Sequence, residues 1–358
     1  MPQSKETPQN PKFKTKNSTK NSKLKTQNLL PDFWSRQRNA QTELFEFEPL
    51  GIPATITANR PEVLVAARLS AGRFSQAATS NGQPIRIQLV VRTNATGSVP
   101  ADLPERLVYS GVGEWITVSA GVWGHGWANL EAREAVVFLS PALAAESRLV
   151  SRYFIDHYLL NFLLTEWAML HASCLLDPDR QRLLLLIGSH NTGKSTTALH
   201  LLRAGYHFLA DGMVLIKQAE AGFSVGGYPI GEVKLRDDVL SLFPDYTGEA
   251  VRVREQRKTV VNLRAAHPQR LVETVISPSA IHLCFVERSD TAQTQLGPLS
   301  PAEVWPRLIA NTVYWDETPR LIHHQTTLEA LVSRADLYRL ALGSQVAGII
   351  QVFTQMLA

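Results

Sequence analysis

Cysteine is nearly absent. The 358 residues hold two, Cys174 and Cys284, both inside apolar runs. That rules out a disulfide framework and a cysteine metal cage, and the pair reads as buried free thiols of a cytoplasmic protein. Long apolar runs are missing too. The most apolar stretch, 153–170, is broken by Asp156, His157, Asn161, Thr165 and Glu166. His157, Asn161 and Thr165 fall four apart on one face of an otherwise apolar helix, so it reads as packed rather than membrane-spanning. His282 and His323-His324 lack an H-E-x-x-H spacing or cysteine partners, and no zinc is expected. No serine-hydrolase elbow and no internal repeat are read in the chain.

Positive charge is scarce outside one segment. Residues 1–41 carry nine Lys and Arg against Glu6 and Asp32, a net +7; with +4 for the whole chain, the remainder is −3. A nucleic-acid-binding body is therefore not indicated. The tail is rich in Lys, Asn, Ser, Thr, Gln and Pro and lacks the apolar residues that offset ordering entropy, so 1–41 is expected to be a disordered basic tail. It has no apolar h-region, so it is not a secretory signal. It reads as a solubilising extension, or as a contact for nucleic acid or an anionic surface. The rest, in a chain 44% hydrophobic and 19% charged overall, has the composition of a globular protein.

What the chain does contain is Gly188-Ser189-His190-Asn191-Thr192-Gly193-Lys194-Ser195, the string G-x-x-x-x-G-K-S. The apolar run Arg182–Ile187 before it reads as a buried strand, and Thr196 to Arg203 after it as an amphipathic helix stopped at Gly205. Strand, glycine loop and helix together make a phosphate site. Loop amides and the helix dipole converge on one point, Lys194 would reach the β- and γ-phosphates, and the Ser195 hydroxyl would ligate Mg²⁺. Residues 188–196, Thr196 included, are thus candidates for binding nucleotide. Asp211, 23 residues after Gly188, ends a strand and either holds Mg²⁺ or accepts a proton, unless it is a turn aspartate before Gly212. His171 opens a strand 17 residues before Gly188. It reads either as a core histidine or as a group that orients the nucleophile. The cluster Arg252, Arg254, Arg257, Lys258 reads as a solvated edge or as a contact for phosphate or an acidic substrate.

Organisation follows from turn signals. Short strand-like runs recur between Asn-Gly, Pro and Gly breakers over 42–140, which is read as a β-rich region. Its glycines at 111, 113, 121, 124 and 126 are read as turns. From 141 to 170 the pattern is helical, and 141–358 is taken as the loop-bearing domain.

The residues Leu170-His171-Ala172-Ser173, the glycine loop, Leu202 to Gly205 and Phe208-Leu209-Ala210-Asp211 resemble the C-terminal domain of the HPr kinase/phosphorylase family. The resemblance spans roughly 150–350 and is strongest over 168–217. Fainter likenesses are Gly227 to Ile230, Lys234-Leu235-Arg236, Lys258 to Leu263 and Leu337 to Leu340. It implies an α/β fold with a carboxykinase-like P-loop nucleotide-binding core, preceded here by a β-rich N-terminal region. It also implies ATP and Mg²⁺, and phosphoryl transfer to a serine-type hydroxyl, with His171, Lys194 and Asp211 catalytic and Ser195 and Asp211 holding metal. Three departures stand out. His190 and Asn191 replace the usual Ser and Gly of the loop, Gly212 stands where a second aspartate is usual, and the signature of the true HPr enzymes is missing. The expected activity is therefore an ATP- and Mg²⁺-dependent phosphotransferase acting on a protein, peptide or small metabolite other than HPr. A non-catalytic ATP-binding sensor and an acceptor-independent ATPase are the alternatives. No membrane partner is expected, and homo-oligomerisation is left open.

Overall fold

Alternation makes the first sheet. The strand Ile85–Val91 buries Ile85, Ile87, Leu89 and Val91 and turns Arg86 outward, as a strand with one wet face does. The computed structural model describes residues 43–78, 82–93, 97–179, 181–253, 256–313 and 318–357; the tail 1–41 and Arg254 fall outside them. Seven strands form this sheet: β1 (Glu43–Phe47), β2 (Ala54–Ala58), β3 (Ile85–Val91), β4 (Val108–Val112), β5 (Trp115–Ser119), β6 (Gly124–Asn129) and β7 (Glu134–Leu139). Their order is β1-β2-β3-β7-β6-β5-β4. β2, β3 and β7 run parallel, with a helix, α1 (Leu64–Ala71), crossing from β2 to β3. Of the glycines read as turns, Gly113 and Gly121 are, whereas Gly111, Gly124 and Gly126 lie within β4 and β6.

The helical segment after 140 packs against the first sheet. Ser140 caps it, accepting from the Leu143 amide at 3.2 Å, with Pro141 at the first helical position. A π-helical turn, Ser151–Ile155, leads into α2 (Asp156–Leu163). Leu143, Val150, Phe154, Leu159 and Phe162 bury in the same core as the first sheet. The same core also takes in Trp167, Met169, Leu215 and Tyr228. Here Arg73 lies 3.0 Å from the fully buried Asp156, which also accepts from the Tyr228 hydroxyl at 2.7 Å.

Ten strands follow: β8 (Ala168–Leu176), β9 (Arg182–Ile187), β10 (His207–Ala219), β11 (Gly222–Tyr228), β12 (Glu232–Leu235), β13 (Gly248–Val253), β14 (Gln256–Asn262), β15 (Ala280–Arg288), β16 (Gln295–Pro298) and β17 (Asp336–Leu342). Seven build a mixed sheet, β11-β10-β8-β9-β15-β17-β16, parallel at β9-β15-β17, and three build a small antiparallel sheet, β12-β14-β13. β9 shows how the larger sheet is layered. Leu183, Leu185 and Ile187 enter one core, and Leu184 and Leu186 the other. Helices α3 (Lys194–Arg203) and α6 (Val346–Leu357) cover the second of these faces; α4 (Pro301–Ile309) and α5 (Thr318–Arg334) cover the first. The chain is thus a mixed α/β protein, and its central strand is buried on both faces because helices lie on both.

Candidate functional site

The site begins where β9 ends. The chain leaves Ile187 through Gly188 to Gly193 and enters α3, on the side where parallel strands present their carboxyl ends. A side chain at Gly188 would place its Cβ 2.6 Å from the Val286 carbonyl oxygen, and one at Gly193, held at φ 109°, would meet Leu342 at 2.7 Å. Asn191 adopts the left-handed conformation at φ 66°, which asparagine tolerates better than most residues. Arg288 donates to the Asn191 carbonyl at 3.1 Å and Thr192 to that of Ser189 at 3.0 Å, so the loop's shape is fixed from within and from β15. The first intrahelical bond of α3 runs from the Thr197 amide to Gly193, leaving the amides before it at the positive end of the helix dipole.

Lys194 is 8% exposed, and its ammonium donates to the carbonyls of Gly188 and Ser189 at 2.6 and 3.0 Å. Burial lowers its pKa, the charge of Asp211 raises it, and that of Lys258 lowers it again. Ser195 donates to Asp211, its hydroxyl 2.9 and 3.0 Å from the two carboxylate oxygens. Ser173 donates to the same carboxylate from the neighbouring strand.

Asp211 does not end a strand or open a turn. It lies within β10, paired with Ser173 of β8 just past an irregularity in register between Phe208 and Ala210. The turn signal of Asp-Gly gives way to the ladder with β8. The ladder on the other side, with β11, starts only at Met213, so Asp211 and Gly212 sit where that flank is open.

His171 is on β8, next to β9 in an antiparallel hairpin. Its Nδ1 lies 2.8 Å from the Gly212 carbonyl, which can only accept, so Nδ1 carries the hydrogen and Nε2 keeps a lone pair. Burial, then the Lys194 charge, holds its pKa below the ordinary histidine value against the opposing pulls of Gly212 and Asp211. The ring is 5.4 Å from that of His190.

These groups share a cavity of about 630 Å³. Of the candidate residues, His171, His190, Asn191, Gly193 to Thr196 and Asp211 line it, while Gly188, Ser189 and Thr192 shape the loop behind. The wall contributed by the first core was not expected: Tyr109 of the edge strand β4, Arg152 and Tyr153 of the π-helical turn, and His157 of α2. Tyr109 and His157 lie with ring centroids 4.6 Å apart, and burial pushes the histidine pKa down to about 4 and the tyrosine up to about 12. Of the basic cluster, Lys258 faces the cavity, together with Lys234. Among the described residues no group of three or more His, Cys, Asp or Glu comes together to cage a metal. Gly222-Phe223-Ser224-Val225-Gly226 spells G-x-S-x-G. It runs along β11 paired to β10, without the strand-to-helix turn that a nucleophile elbow requires.

No protein-family model matches the chain, and no curated protein matches it. Among solved structures, the Hpr(Ser) kinase/phosphatase from Coxiella burnetii is similar over 53% of this chain and 99% of its own, at 12% identity and a TM-score of 0.26. At that score the likeness carries no weight for activity, substrate or cofactor.

Proposed function

We propose that the protein is an Mg²⁺- and ATP-dependent phosphotransferase with a carboxykinase-like P-loop core, moving a phosphoryl group to a hydroxyl of a protein, peptide or small metabolite other than HPr. The observation that carries this reading is the contact of Ser195 with both carboxylate oxygens of Asp211, immediately after Lys194 at the start of a helix. A hydroxyl and a carboxylate are hard oxygen donors, and the donor set is too small to cage a metal alone. That suits Mg²⁺, which is ordinarily bound by one or two carboxylates plus substrate phosphates.

When bound, Mg²⁺·ATP supplies the transferable phosphoryl group and neutralises much of its charge. The chain's residues do the rest. Loop amides and the start of α3 would orient the phosphates, and Lys194, now bonded to the Gly188 and Ser189 carbonyls, would neutralise phosphate charge. Ser195 and Asp211 would hold the metal. Asp211 already accepts from two hydroxyls, so its oxygens are committed to Ser173, Ser195 and the metal position. His171, neutral and with its Nε2 lone pair uncommitted to the Gly212 bond, is better suited to take the acceptor's proton.

Calorimetric titration with Mg²⁺·ATP tests the reading, with Lys194→Ala as control. A wild-type protein that binds no nucleotide refutes it. One observation favours a second reading, an ATP-binding sensor: Gly212, next to Asp211, has no side chain where the family that the sequence resembles has a second acid. Nucleotide binding without turnover on any hydroxyl acceptor would select the sensor, and steady ATP consumption without acceptor would select an ATPase.

A further inference from the structure

The small sheet turns one face to the core and the other to the cavity. Val233, Leu235 and Val261 are buried on the inner face. Lys234 pairs opposite Val260, and Lys258, two residues along β14, projects from the same side as Val260. Both lysines line the cavity, and Arg152 lines it from the π-helical turn of the first core. The three come from separate elements; the charges of Arg152 and Lys258 act on Lys234, opposed by those of Glu232 and Asp211.

None of the three has a carboxylate within ion-pair distance among the described residues, whereas Arg236 beside them is paired with Asp238 at 2.6 Å. Cations lining a cavity without acidic partners remain unneutralised until an anion enters. Five such cations line this one, Arg152, Lys194, Lys234, Lys258 and Arg288, and Asp211 is the carboxylate among its lining residues. Given the nucleotide reading, on which this count rests, Mg²⁺·ATP adds about two net negative charges and leaves about two positive charges unmatched. Lys194 and Arg288 already serve the loop, so the surplus lies with Arg152, Lys234 and Lys258.

We propose that Arg152, Lys234 and Lys258 form a second anion subsite that takes a phosphate or carboxylate group of the phosphoryl acceptor, so that the acceptor is a small anionic molecule bearing a hydroxyl. Lys258, Lys234 and Arg152 line the same cavity as Lys194, Ser195 and Thr196, so an acceptor held there by its anionic end would face the transferable phosphate.

The test uses the full chain saturated with a non-hydrolysable Mg²⁺·ATP analogue, titrated calorimetrically with inorganic phosphate in one arm and malonate in the other. One further site is expected, the preferred probe telling a phosphate-bearing from a carboxylate-bearing acceptor. Lys234→Ala and Arg152→Ala should each weaken it about tenfold or more and change analogue affinity less than about threefold. Lys234→Met, which keeps most of the side chain's length without its charge, is the second variant if alanine fails to fold. Absence of any further site for either probe overturns the proposal. So does an equal loss of analogue affinity in Lys234→Ala, because the cations would then serve the nucleotide's own phosphates. If the protein binds no nucleotide, the proposed function fails separately. Anion binding that depends on Lys234 and Arg152 but not on Lys194 would still support the subsite.

Discussion

Replacing Lys194 by alanine separates two effects that the structure keeps apart. Without nucleotide, the ammonium makes two charge-assisted bonds to carbonyls of its own loop, at 2.6 and 3.0 Å. Such bonds contribute about 1.5–3 kcal/mol each in favourable cases. Two terms reduce the loss here. The ammonium sits against the cost of its burial, which is why its pKa is lowered, and Ser189 is exposed enough for water to replace the lost donor. The net cost should be about 1 kcal/mol, which lowers the unfolding midpoint by roughly 2–4 °C. With nucleotide the balance changes. Wild-type protein at about a hundred times its dissociation constant gains about 2.7 kcal/mol, a rise of roughly 5 °C or more. In Lys194→Ala that rise should shrink to under about 1 °C at the same Mg²⁺·ATP concentration. Thermal unfolding followed by circular dichroism, with and without millimolar Mg²⁺·ATP, reads both numbers. A wild-type midpoint that does not move, or a variant that moves as far as wild type, refutes the placement of nucleotide at this loop.

Asp211→Asn keeps the shape of the side chain but removes the charge facing Ser195 and Ser173, so turnover should fall about 10³-fold or more while nucleotide binding largely persists; turnover within about twofold of wild type would contradict its role. His171→Ala should cost roughly one to three orders of magnitude in turnover. In wild type, turnover should be lost as pH falls through a midpoint below 6.5, because the lowered pKa leaves the imidazole neutral above it; a midpoint above 7 in the pH–rate profile would count against His171 as base. Lys234, whose pKa burial and then the charge of Arg152 lower to about 8, should hold phosphate less well as pH rises past that value, read by titration at pH 7 and pH 9. Its stability effect runs the other way: between about 8 and 10.5 the unfolded chain binds more protons at this lysine, so its contribution favours folding more as pH rises. Asp156→Ala strands the nearly buried Arg73 guanidinium and should cost about 3–5 kcal/mol in urea unfolding; a loss under about 1 kcal/mol would show the pair to be inert.

The glycine loop and its flanking strand and helix were legible because their causes are local. Two glycines and an asparagine occupy positions where other residues would clash or strain, and a leucine run precedes them. The hairpin neighbour carrying His171 followed from chain proximity. Asp211 was legible as a residue near the loop, but not as a strand residue, because a local turn preference says nothing about a ladder formed 38 residues away with Ser173. Ser173 stood inside a recognised string without a role, and only the register assigns it one. The far wall could not be read. Arg152 and His157 lie in a stretch whose periodicity speaks only of packing, and their approach to the loop depends on how two cores meet. Lys258 was noticed as charge; its partnership with Lys234 needed the pairing of β12 with β14.

The cavity draws its walls from both cores, and the hydroxyl of Tyr228 and the guanidinium of Arg73 meet at Asp156 beside it. A ligand filling such a space would tie residues around the glycine loop to Tyr109, Arg152 and His157 on the opposite wall. Occupancy should therefore register in backbone exchange far from the loop, slowing amides of the first sheet as well as those around β9, and should sharpen the unfolding transition as well as raise it.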